Sequence, residues 1–205
     1  MRRVLLACST LALVLAGHSA TLAKPDGPSA SAHSHDSGFF MRLAVGTGYH
    51  NTSTEAGFGD TSLSGLGGNA SFAFGGIVAR NLALHATFFL TTAINPTLEV
   101  NGIEGNTEET QMTAGGLGIG VTYYTSSNIY FGASFGAAVA QLEVQREKGD
   151  SELGFGGTAI IGKEWWVSRR WGIGLAAQFI FVRVPTERDS IQTLGAGLLF
   201  SATLN

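Results

Sequence analysis

From residue 39 onward, large apolar side chains alternate with small ones in run after run of this chain. Phe39, Met41, Leu43 and Val45 form one row, and Leu82, Leu84, Ala86, Phe88 and Leu90 a second. Trp171, Ile173, Leu175, Ala177, Phe179 and Phe181 form a third, and the intervening residues are mostly Gly, Ala, Ser and Thr. A period of two marks β-strands, whose successive side chains point to opposite faces. One face is large and apolar, the other small and weakly polar, and neither carries much charge. That pattern suits a barrel with lipid outside and a narrow, polar interior. Eight strands are predicted, at about Phe39–His50, Gly68–Val78, Leu82–Ala93, Met112–Tyr124, Ile129–Leu142, Glu152–Val167, Trp171–Val182 and Ile191–Thr203. Most have about the 9–11 residues a tilted strand needs to cross a bilayer.

The connections carry a second signal. Ala79-Arg80-Asn81, Thr125-Ser126-Ser127-Asn128 and Ser168-Arg169-Arg170 are short runs of turn-forming residues. The others are longer and are predicted to be irregular: Asn51 to Gly67, rich in Gly, Ser and Thr; Ile94 to Gln111, with four glutamates; Val144 to Ser151; and Arg183 to Ser190. Short and long alternate down the chain, as in outer-membrane barrels with periplasmic turns and external loops. An even strand number puts both termini on the periplasmic side. Tyr123, Tyr124 and Tyr130 flank the second short turn, and Trp165, Trp166 and Trp171 the third, which predicts a periplasmic aromatic belt.

The N-terminus reads as an address. Met1-Arg2-Arg3 is basic, Val4 to Gly17 is apolar but too short to span a bilayer as a helix, and Thr21-Leu22-Ala23 is a small-residue cleavage signal. Residues 1–23 are therefore expected to be a cleaved secretory signal. Residues 24–38, rich in Pro, Gly, Ser and Ala, are expected to be a disordered periplasmic leader, and 39–205 the barrel. Cys8 is the only cysteine and resembles a lipoprotein box, but the apolar stretch before it is too short for one. The mature chain thus lacks disulfides and thiol chemistry.

Charged residues make up 13% of the chain, about half the usual share of a soluble protein. Loss of Arg2 and Arg3 takes the formal net charge from −3 to −5, and no basic patch invites nucleic acid.

These features together resemble the eight-stranded OmpA/OmpX-type outer-membrane barrels. The resemblance covers the chain from about Phe39 to its end and rests on strand count, turn asymmetry and aromatic girdles. It implies an all-β, eight-stranded antiparallel up-and-down transmembrane β-barrel in a Gram-negative envelope, porin-like in architecture. It also implies contact with outer-membrane lipid and with the barrel-assembly machinery during biogenesis. The last strand, Leu194-x-Ala196-x-Leu198-x-Phe200-x-Ala202-x-Leu204, resembles the strand by which such barrels are recognised, although it ends in Leu204-Asn205 and not in an aromatic.

Candidate chemistry is sparse. Gly116-x-Gly118-x-Gly120 lies inside a strand with no helix to follow, so it is not a phosphate loop. Inward glycines instead let a small barrel close. The inward positions that are not small are Arg42, His85, Thr87, Tyr124, Tyr130, Glu164 and Gln178. Counted from the strand ends, Arg42, His85 and Glu164 fall at similar depth. Arg42 and Glu164 are expected to pair across the lumen with His85 nearby, since a charge in a narrow interior is costly unless paired. Neither His85 nor His50 has a nucleophile and a carboxylate placed beside it, so no catalytic set is expected. No cofactor or metal site is implied; His33, His35 and Asp36 in the leader read as polar linker. Glu99, Glu104, Glu108 and Glu109 make the second long connection acidic, either a solvated face or a site for a cation or basic partner. The expected function is non-enzymatic: a membrane-embedded scaffold whose external loops meet a surface ligand or protein. The alternatives are a small narrow pore and, behind it, a lipid-modifying barrel enzyme.

Overall fold

The computed structural model describes residues 38–56, 59–100, 103–107, 110–144, 147–150, 152–186 and 190–205. The signal and leader assigned from the sequence lie outside them, apart from Gly38. Eleven strands occur among these residues: β1 (Gly38–Ala56), β2 (Gly59–Ala79), β3 (Leu82–Ile94), β4 (Thr97–Val100), β5 (Ile103–Asn106), β6 (Thr110–Tyr124), β7 (Ile129–Val144), β8 (Glu147–Asp150), β9 (Gly154–Trp166), β10 (Trp171–Pro185) and β11 (Ser190–Leu204). Eight of them form the barrel. β1 pairs with β2, then β3, β6, β7, β9, β10 and β11 follow in turn, and β11 returns to β1. Every ladder is antiparallel, and the closing one runs from Met41↔Leu204 to Thr54↔Ile191. Closure leaves no barrel strand with an open edge, as a strand in hydrocarbon requires.

The alternation in the sequence is the alternation in space. Along β10, Trp171, Ile173, Leu175, Ala177 and Phe179 are exposed, while Gly172, Gly174, Ala176, Gln178 and Ile180 are buried. Outward rows on the other strands include Leu43 and Val45, Phe72 and Phe74, Leu117 and Ile119, and Leu198 and Phe200. Soluble monomers rarely show a contiguous apolar surface larger than a few hundred Å².

The short turns lie where the polar runs placed them. Asn81 and Asn128 adopt φ of 62° and 58°, the left-handed conformation that asparagine tolerates better than most residues. In the third turn the Ser168 hydroxyl accepts from the amides of Arg170 and Trp171. All three turns share one end of the barrel with Gly38 and Leu204.

The long connections differ from expectation. The β1–β2 ladder runs without a break from Gly38↔Ile77 to Ala56↔Gly59, so the described residues between Asn51 and Gly67 are a regular ladder and not an irregular loop. β4 adds to β2 and β5 to β4, while β8 folds back on β7. β10 and β11 stay paired as far as Pro185↔Ser190. Thr and Ser suit strands as well as loops, and backbone groups beyond the barrel still need partners, which ladders supply. β1 and β2, with 19 and 21 residues, are about twice the length a bilayer requires.

The interior also differs, being less polar than its many small residues suggested. Phe40, Ala73, Ala83, Tyr124, Tyr130, Ile160 and Ala176 pack into one apolar cluster near the short turns. Phe89, Ala114, Ala138, Ala140, Ile180, Val182 and Val184 pack into another toward the long hairpins. Glycines make the room: a Cβ on Gly116 would stand 2.7 Å from the Phe89 ring.

Candidate functional site

Between the two apolar clusters lies a polar layer. Arg42 on β1, Ser71 on β2, His85 and Thr87 on β3, Ser134 on β7, Thr158 on β9 and Gln178 on β10 all point inward and are buried. The parity of each strand places them: Arg42 opposes Ala73 on β2, and His85 opposes Gly75 on β2 and Gly120 on β6. A Cβ on Gly120 would come within 2.7 Å of His85 Cε1, so the imidazole lies over that glycine.

Thr122 joins two of the expected residues. Its hydroxyl accepts from Arg42 Nη2 at 3.2 Å and lies 2.9 Å from His85 Nε2, while His85 Nδ1 lies 2.8 Å from Thr87 Oγ1. Arginine only donates, so Thr122 keeps its own proton for Nε2. A neutral imidazole protonated on Nδ1 and donating to Thr87 then satisfies the whole chain. The guanidinium also lies over Tyr130, 4.6 Å from the ring centroid, and 5.6 Å from that of Phe40, a cation held against two aromatic rings.

Glu164 on β9 is 2% exposed, but its partners are not those expected. Its Oε1 accepts from Thr203 at 2.5 Å and from Tyr124 at 3.3 Å. Arg42 Nη1 and Glu164 Oε2 have no hydrogen-bond partner, so the two residues share the lower lumen without a direct bond. Tyr130, with its ring against Arg42, donates to Ser201 on β11 at 3.3 Å. The alternation alone could have pointed to Thr122, Ser201 and Thr203, which share the inward parity of Tyr124 and Leu199.

A cavity of about 10 Å³ lies against Arg42, His85, Thr87, Ser134, Thr158 and Gln178, room for about one water. Further up, Thr91 lies 2.9 Å from the ring nitrogens of His50, and Thr52 bonds Thr193 at 2.9 Å.

The aromatic belt is smaller than the sequence suggested. Tyr123, Trp165 and Trp171 are exposed on the outer wall. Tyr124 and Tyr130 are fully buried in the lumen, because consecutive strand residues take opposite faces. Trp166 is half-buried and donates to the Asn128 side chain. In the acidic connection Glu99 is exposed and is the cross-strand partner of Glu104; Glu108 and Glu109 lie outside the described residues. Among the described residues no group of three or more metal-ligating side chains forms.

A closed antiparallel eight-strand barrel with an apolar outer wall and a filled lumen is the architecture of the small outer-membrane barrels. The fold is shared with the crystal structure of Neisserial surface protein A (NspA), at 14% identity and a TM-score of 0.52 over 80% of this chain and 96% of that one. The outer-membrane protein OprG from Pseudomonas aeruginosa aligns at 8% identity and a TM-score of 0.49, over 83% and 98%. Ail of Yersinia pestis aligns at 9% and 0.43, over 80% and 98%. No family model matches the sequence, and no curated protein matches it.

Proposed function

We propose that this chain is exported, inserted into a bacterial outer membrane by the barrel-assembly machinery, and held with its termini and short turns in the periplasm. Its role is non-enzymatic: a plugged barrel that anchors long β-hairpins for contact with a surface ligand or protein. The observation that carries this reading is the filled lumen, with two apolar clusters on either side of a polar layer whose cavity has room for about one water. The same filling argues against a standing pore. Purified protein in planar bilayers is expected to give no steady conductance, and regular channels would overturn the scaffold in favour of the pore. A lipid-modifying enzyme would need His85 open to lipid, whereas both ring nitrogens are held by threonines inside the barrel. Turnover of labelled lipid A with phospholipid, abolished by His85→Ala, would establish that alternative.

Orientation is tested by cysteine labelling, since the one native cysteine lies in the expected signal. Glu99→Cys should react with an impermeant maleimide on intact cells, and Ser127→Cys only after the outer membrane is breached. The reverse pattern would invert the topology.

A further inference from the structure

We propose that the β9–β10 hairpin carries a binding site for the headgroup of an anionic phospholipid in the leaflet at the short-turn end. The site rests on the membrane reading above and adds a ligand to it. Lys163 points outward from β9 and is exposed, with Ile129 on β7 and Leu175 on β10 as its cross-strand neighbours. A cation in an apolar outward row is tolerated near an interface and not at mid-bilayer. Its long stem can carry the ammonium past Trp165, two residues nearer the strand end, toward the headgroups. Trp165 and Trp171 are half-exposed on the same outer wall, where indole rings settle at headgroup level. Below them Arg169 and Arg170 are exposed in the turn.

That turn is ordered. Val167 and Ser168 amides donate to the Trp171 carbonyl at 2.9 and 3.2 Å, the Ser168 hydroxyl accepts from Arg170 and Trp171, and the Asn205 amide donates to the Arg170 carbonyl at 3.0 Å. Cations thus stand above and below a pair of indole rings on a single hairpin. Charge complementarity selects the occupant. Among the described residues every Asp and Glu except Glu164, which is inside the lumen, lies on the chain segments at the long-hairpin end. The short-turn end presents Arg80, Lys163, Arg169 and Arg170. A net-negative headgroup such as phosphatidylglycerol at this hairpin gains from Lys163, Arg169 and Arg170, and a zwitterionic one gains little.

The test uses the three tryptophans of the chain, which all lie at the site, at 165, 166 and 171. The chain is refolded into bilayers of phosphatidylcholine and phosphatidylglycerol in which one or the other bears brominated acyl chains, and indole quenching is read. Brominated phosphatidylglycerol is expected to quench more strongly, with a relative association constant on the order of 3–5. Lys163→Gln, Arg169→Ser and Arg170→Ser together should bring that constant to about one, while quenching by pure brominated phosphatidylcholine stays unchanged. Equal quenching by the two lipids in the native chain would overturn the proposal, as would a preference that survives the triple substitution. Absence of quenching by either lipid would instead overturn the membrane reading itself.

Discussion

Glu164→Gln is expected to destabilise the folded barrel by about 3 kcal/mol, although it keeps the shape of the side chain. The amide oxygen can still accept from Thr203 and Tyr124, so the hydrogen bonds survive and the charge compensation does not. Arg42 is 5% exposed and always charged, and Glu164 is the only other Asp, Glu, Lys or Arg among the buried described residues. Removing the carboxylate leaves a guanidinium alone in the lumen. Glu164→Leu should cost more, because it also takes away the acceptor that two buried hydroxyls use. Arg42→Met combined with Glu164→Gln should recover much of the loss, because that pair leaves no uncompensated charge. The measurement is a urea titration of the barrel in detergent, read by tryptophan fluorescence and by the mobility difference between folded and unfolded chain. Simple additivity of the two single substitutions would show that Arg42 and Glu164 do not sense each other, and that their shared depth has no energetic meaning.

Gly162→Val should be the next most damaging single change. A Cβ at this position would stand 2.5–2.7 Å from Cζ, Oη and Cε1 of Tyr130. The ring cannot yield easily: it is fully buried, Arg42 lies over it and Ser201 accepts from its hydroxyl. Overpacking of this kind costs about 1–3 kcal/mol, and Val adds two methyl groups beyond the Cβ. Tyr130→Ala should relieve it, so the double variant is expected to be less destabilised than the sum of the two single ones. If Gly162→Val folds as stably as the native chain, the ring does not occupy the space over that glycine.

Much of this architecture was legible beforehand because a strand offers only two faces. Period two located the eight strands, and parity placed Arg42, His85, Thr87, Glu164 and Gln178 inside. Parity also placed Tyr124 and Tyr130 inside, at odds with their assignment to the outer belt: with Tyr123 outside, its neighbour must face in, and both rings are buried. Which lumen side chains meet was not legible. That depends on how far each strand is displaced along its neighbour, and the displacements are set by ladders such as Arg42↔Thr203 and Glu164↔Gly174 that no local pattern encodes. Hence the expected Arg42–Glu164 bond gave way to contacts with Thr122 and with Thr203 and Tyr124. The long hairpins were missed for a different reason. Gly, Ser and Thr serve a solvated ladder and a loop equally well, and only pairing with β2, β7 and β11 separates the two.

The closing ladder between β1 and β11 bears on the timing of assembly. Every other barrel ladder joins strands that follow one another around the wall in chain order, so the sheet can grow hairpin by hairpin as the sequence becomes available. The ladder from Met41↔Leu204 to Thr54↔Ile191 has fourteen rungs and joins the two ends of the barrel sequence. Until it forms, the nascent sheet keeps two long open edges, each a template for pairing with the wrong chain. Contacts so distant in sequence are also the slow ones to make. The longer the fourteen rungs take to close, the longer those edges stay open, and β11 is the strand that ends the search.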